Sequence, residues 1–71
     1  MSVFYLMRVK GKAKIPDYIQ VRDEQLTLIG YIRPGRDEKL SKMVEDPEMA
    51  QALSAHIQAL SDYGRLTRIE I

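Results

Sequence analysis

Tyr18–Arg33, YIQVRDEQLTLIGYIR, alternates apolar and polar residues on both sides of a short polar break. Period-two alternation rich in β-branched and aromatic residues predicts a β-hairpin. In its first strand Ile19 and Val21 fall on one face, with Tyr18, Gln20 and Arg22 on the other. Asp23, Glu24 and Gln25 supply the turn, where the Asp carboxylate can accept from its own backbone. In the second strand Leu26, Leu28, Gly30 and Ile32 share a face opposite Thr27, Ile29, Tyr31 and Arg33. A half-solvated strand has no reason to carry Ile29 and Tyr31 on its wet side. Their presence predicts that something covers that face.

Upstream, Val3–Val9 (VFYLMRV) reads as a strand that is apolar on both faces at its start. The alternation continues beyond it, with Val9, Gly11, Ala13 and Ile15 opposite Arg8, Lys10, Lys12 and Lys14. If that segment stays extended, the four cations line one side over roughly 20 Å, at ~3.3 Å per residue. Gly11 is the point where a bulge or bend is expected. Ile15-Pro16-Asp17 then turns the chain into the hairpin.

Downstream, Arg33-Pro34-Gly35-Arg36 matches a type II turn. Asp37 follows as the cap of a short helix over about residues 38–45, with Leu40, Met43 and Val44 inward. Asp46-Pro47-Glu48 is the clearest helix start in the chain: an N-cap, a first-position proline and an acid at the positive end of the dipole. Met49, Leu53, Ile57 and Leu60 form its apolar stripe, and the pattern predicts a helix to about Asp62 with Gly64 as left-handed terminator. Arg65–Ile71 (RLTRIEI) alternates again and reads as a last strand, with Thr67, Ile69 and Ile71 on one face.

The expected order is β-β-β-α-α-β in one α+β domain spanning residues 1–71: a mainly antiparallel sheet of about four strands, with two helices on one face. Two short helices cover one sheet face. Phe4, Leu6, Ile29 and Tyr31 are surplus to that core and are assigned to the uncovered face as partner-binding residues. A chain of 71 residues without a cysteine has neither disulfide staples nor thiolate metal sites. Small domains of this kind often gain stability by oligomerising, which favours a homodimer through the sheet face or edge. The opening MSVFYLMRVK lacks a basic leader, and no apolar run reaches the ~20 residues of a membrane span, so a cytoplasmic protein is expected.

Chemistry-bearing motifs are sparse. His56 is the sole histidine, so one chain offers no two-histidine metal site, and it falls at the edge of a helical stripe. Ser2, Ser41, Ser54 and Ser61 lie in no nucleophile elbow, and the acidic trio Glu45, Asp46 and Glu48 is explained by a helix junction. No cofactor motif is present. Arg33 and Arg36, before a helix start, form a candidate anion site. Arg8, Lys10, Lys12 and Lys14, with aromatics near them, form a candidate polyanion-binding row. The whole chain carries a net charge of only +1, which argues against a dedicated nucleic-acid-binding domain. The residues therefore favour a small non-enzymatic protein-interaction or regulatory module acting as a homodimer and binding a further protein. Nucleic-acid binding along Arg8–Lys14 is the second reading, and a small enzyme the third.

Overall fold

The computed structural model describes residues 2–33, 35 and 37–71. Four strands are formed: β1 (Val3–Val9), β2 (Tyr18–Arg22), β3 (Leu28–Ile32) and β4 (Thr67–Glu70). Between β3 and β4 lie a 3-10 turn (Asp37–Lys39), a one-turn helix α1 (Leu40–Met43) and a longer helix α2 (Pro47–Ala59). The strands assemble in the order β3-β2-β1-β4, every neighbour antiparallel, as the α+β reading expects.

Alternation along β1 and β2 sends Phe4, Leu6, Ile19 and Val21 to one face, joined by Ile32 of β3 and Ile69 of β4. The helices return Leu40, Val44, Leu53 and Ile57, and these side chains are the buried core. Met43, Met49, Leu60 and Ile71 pack around its margin. Burying each large aliphatic side chain is worth about 1.5–3 kcal/mol. In a domain of this size that core is the principal source of stability.

Local signals set the helix starts. Asp46 sits in an extended conformation and its Oδ1 accepts from the Glu48 amide at 3.0 Å, with Pro47 opening α2. Such a cap contributes about 1 kcal/mol. The C-terminal strand is fastened by paired backbone bonds between Ser2 and Ile71, at 2.9 and 2.8 Å.

Several expectations are corrected. Phe4 and Leu6 are 8% and 0% exposed and belong to the helix-covered core, not to the open face. The strand phase decides this: Phe4 is paired with Ile69 and Leu6 with Val21, so they share those residues' face. The open side of β1 is taken instead by Val3, Tyr5, Met7 and Val9. Leu26 and Leu28 are not core residues, being 45% and 37% exposed. A register shift beside Val21 and Arg22 leaves Ile29 as an extra, unpaired residue and sets Leu28 opposite Arg22. One inserted residue reverses the alternation, which carries Leu28 to the open face.

Helix α2 ends at Ala59 rather than near Asp62. Leu60 is already extended (ψ 127°), and Gly64, with φ +73°, belongs to the following turn rather than to a helix cap. The amide of Gly64 donates to the Arg8 carbonyl at 2.7 Å, and Tyr63 forms a parallel bridge with Arg8. Pairing with the end of β1 thus replaces the last helical turn. The first helix is also shorter than its sequence pattern, with a 3-10 turn occupying residues 37–39.

The hairpin turn spans Asp23 to Thr27. Asp23 Oδ1 accepts from the amides of Gln25 and Thr27, both at 2.9 Å, and Leu26 is held at φ +66°. A type I turn followed by a left-handed residue is a standard three-residue hairpin loop, and glycine is its preferred occupant. Leu26 stores strain there while burying little. Replacing it by glycine (Leu26→Gly) is expected to stabilise the fold by about 1 kcal/mol. A thermal melt should rise by about 4–8 °C; an unchanged or lower midpoint contradicts the assignment of strain.

Candidate functional site

The sheet face opposite the helices carries no packed element among the described residues. Cross-strand pairing lays out its rows. Tyr31, Gln20 and Met7 form one; Leu28, Arg22, Tyr5 and Arg68 form the next; Tyr18 and Val9 pair at one end, Val3 and Glu70 at the other. The middle of this face, Val3, Tyr5, Met7 and Val9, is half-buried by neighbouring side chains alone. The edge strand β3 exposes more: Ile29 is 38% and Tyr31 50% accessible.

The charged side chains on this face, and Gln20 beside them, are engaged within the chain. Arg22 donates to Gln20 Oε1 from Nε and Nη2 (3.3 and 3.1 Å) and to the Leu26 carbonyl from Nη1 (2.8 Å). Arg68 is ion-paired to Glu70 at 2.6 Å, and that contact raises the guanidinium's already high pKa. The face is therefore an apolar and aromatic surface with its charges tied down at two borders.

At the Tyr18 end the face runs into a cleft of about 320 Å³ lined by Ile15, Pro16, Tyr18, Tyr31, Arg33 and Lys39. The rings of Tyr18 and Tyr31 meet edge to face, their centroids 5.1 Å apart at 83°. Arg33 and Lys39 bring two cations to it, and no carboxylate lines it among the described residues.

The proposed basic row is not a row. Strand β1 ends at Val9, Ala13 takes a left-handed conformation at φ +53°, and the Ile15 amide closes a turn onto the Lys12 carbonyl at 2.9 Å. Gly11 is the bend. A Cβ there would strike the Ile15 carbonyl oxygen and approach the Pro16 carbonyl carbon to 2.6 Å. Arg8 is turned to the helix side, where Nη1 donates to the Leu60 carbonyl at 2.9 Å and the guanidinium lies 5.1 Å from the Tyr63 ring centroid. Lys10, Lys12 and Lys14 remain exposed on the loop. Extended alternation requires a strand, and the chain turns before the row is complete.

Of the candidate anion pair, Arg36 lies outside the described residues, and Arg33 is exposed at the cleft. Lys39 is the cation found beside it, from a turn that periodicity alone does not aim toward the sheet edge. His56 is exposed on α2.

Tyr63 is a second residue that strand and helix periods do not single out. Its hydroxyl donates to Asp17 Oδ2 at 2.8 Å, while Asp17 Oδ1 accepts from the Gly11 amide at 2.7 Å. The β1–β2 loop, the end of β1 and the segment after α2 are thereby joined through Arg8, Tyr63 and Asp17. The Gly11 amide first, and then the Tyr63 hydroxyl, hold the Asp17 carboxyl below its ordinary value of 3.8.

No known protein family, curated protein or solved structure matches the chain at a significant level.

A carboxyl with a lowered folded pKa stabilises the fold above its ordinary, unfolded value, and that stability is lost as pH falls through the folded value. The loop should therefore loosen only below pH 3.8. An NMR titration is expected to show Asp17 titrating below the usual carboxylate range, and Tyr63→Phe should move it upward. An Asp17 midpoint that ignores the loss of the hydroxyl would contradict the network.

Proposed function

We propose that the protein is a non-enzymatic interaction module that pairs with a second copy of itself through the open sheet face. The observation that carries this reading is the side-chain content of that face. Val3, Tyr5, Met7, Val9, Tyr18, Leu28 and Tyr31 are gathered on the side of the sheet opposite both helices. Four strands spaced ~4.8 Å apart and about five residues long make a face of roughly 300 Å² in projection. The largest apolar patch of a typical monomer is roughly 300–600 Å² and is often functional, and this face is at the lower end of that range.

The charge arrangement agrees with self-pairing. Arg68 is neutralised by Glu70, and Arg22 is committed to Gln20 and to a backbone carbonyl. Two such faces can therefore meet with Arg68 neutralised and with Arg22, whose donors are satisfied by neutral acceptors, kept at the rim in water. A charge stranded at the centre would be costly. Aromatic residues and methionine at the centre of the patch suit such a contact. The edge strands β3 and β4 add further backbone groups at the borders. As an interaction module, the paired unit would present its helical backs, or its remaining edges, to a further protein. Nucleic-acid binding along Arg8–Lys14 loses its geometric basis where the chain turns.

Sedimentation at micromolar concentration is expected to give twice the mass of an 8.2 kDa chain. Met7→Lys, which places a cation at the middle of the face, should return the mass to that of one chain while leaving circular dichroism unchanged. A wild-type monomer at that concentration, or a dimer indifferent to Met7→Lys, overturns the reading.

A further inference from the structure

The cleft at the end of the sheet differs in chemistry from the face it adjoins. Its walls are Ile15, Pro16 and the perpendicular pair Tyr18 and Tyr31, and among the described residues its charged groups are Arg33 and Lys39. A perpendicular pair presents ring faces in two directions, so a flat ligand can stack on one ring while the other bounds it. Neither cation is ion-paired with a described side chain, unlike Arg65 and Arg68. Two cations beside aromatic faces select for a group that is planar at one end and anionic at the other. The volume of about 320 Å³ is at the small end of the range for small-molecule sites, which run from ~300 to ~1,000 Å³.

We propose that this cleft binds a ligand of the nucleoside-phosphate class, with the base against Tyr18 and Tyr31 and the phosphate on Arg33 and Lys39. Base–aromatic stacking tolerates any base, because each has a π-face. Arg and Lys beside each other supply a bidentate fork and a point charge for one phosphate. The ligand is either a free nucleotide or one residue of a single strand; the recognised chemistry is the same. The site needs one chain only and uses different residues from the broken row Arg8–Lys14. It shares Tyr18 and Tyr31 with the border of the self-pairing face, so the two must be read separately.

The walls are held by a mechanism already visible in the fold. Ile15 and Pro16 belong to the loop folded against Gly11, and Asp17 fixes that loop to Gly11 and Tyr63. Ile15, 63% exposed, is thus a positioned wall of the cleft despite its accessibility.

The test is an amide-detected NMR titration with adenosine monophosphate, repeated with adenosine, with inorganic phosphate and with a short single-stranded oligonucleotide. It is run on the wild type and on Met7→Lys, so that self-pairing and ligand binding are read separately. Shifts from adenosine monophosphate should centre on Tyr18, Tyr31, Arg33 and Lys39 in at least one of the two. Adenosine and phosphate should each bind about tenfold or more weakly, since charge-assisted contacts and stacking each contribute at least that factor. The double variant Arg33→Gln, Lys39→Gln should lose tenfold or more for adenosine monophosphate but not for adenosine, with its spectrum otherwise dispersed as in the wild type. An oligonucleotide binding more tightly than the mononucleotide at these same residues assigns the strand as the source; equal or weaker binding assigns the free nucleotide. No shifts in either protein, shifts centred on Lys10, Lys12 and Lys14, or a double variant that binds unchanged would each overturn the site.

Discussion

One-sided coverage of the sheet is the constraint on which the rest of the structure depends. Leu40, Val44, Leu53 and Ile57 press from the helices onto Phe4, Leu6, Ile19, Val21, Ile32 and Ile69. That contact uses the apolar side of both helices, whose other sides are exposed. With α1 a single turn and α2 only 13 residues, no element among the described residues covers the other face. Domains of this size are held by only a few kcal/mol. An apolar face left open in so small a domain is a costly arrangement unless something covers it, and the proposed pairing follows from that cost.

Loop strain is concentrated where it positions surface residues. Gly11 admits the close return of Ile15 and Pro16, Ala13 takes a left-handed conformation, and the Asp17 carboxylate spans the loop to Tyr63. The same loop walls the tyrosine cleft. The geometry that destroys a linear basic row therefore creates a compact aromatic corner with Arg33 and Lys39 beside it. The Arg8 guanidinium contributes to this order from beneath, on the helix side, by joining the end of β1 to Leu60 and Tyr63.

Much of the fold was legible in the residues, because the strongest signals were short-range. The Asp46 cap, the alternation of β1 and β2 and the stripe of α2 each act within a few positions and appear as expected. Errors arose where one residue changes a phase or a long-range contact overrides a local pattern. The extra Ile29 sends Leu28 to the open face, and the one local hint of a bulge in LTLIGYI is the adjacent Gly30, which fits an unbroken strand as well. Strand β1 is apolar on both sides, so period alone cannot say which half meets the helices. Helix α2 stops early because Tyr63 and Gly64 pair with Arg8, 55 and 56 residues back in the chain, a contact no window of sequence contains. Of the candidate sites, Ile29, Tyr31 and Arg33 were named from sequence, whereas Lys39, Ile15 and the Tyr18–Tyr31 corner required the tertiary arrangement.

The most direct test of the open face as the contact surface is a mixed-label NMR experiment on equal parts isotope-labelled and unlabelled chains. Filtered to pass only intermolecular proton contacts, it should show Tyr5, Met7, Tyr18 and Val9 of one chain touching those of another. Intermolecular contacts confined to the outer side of α2, or their absence at millimolar concentration, would contradict the account.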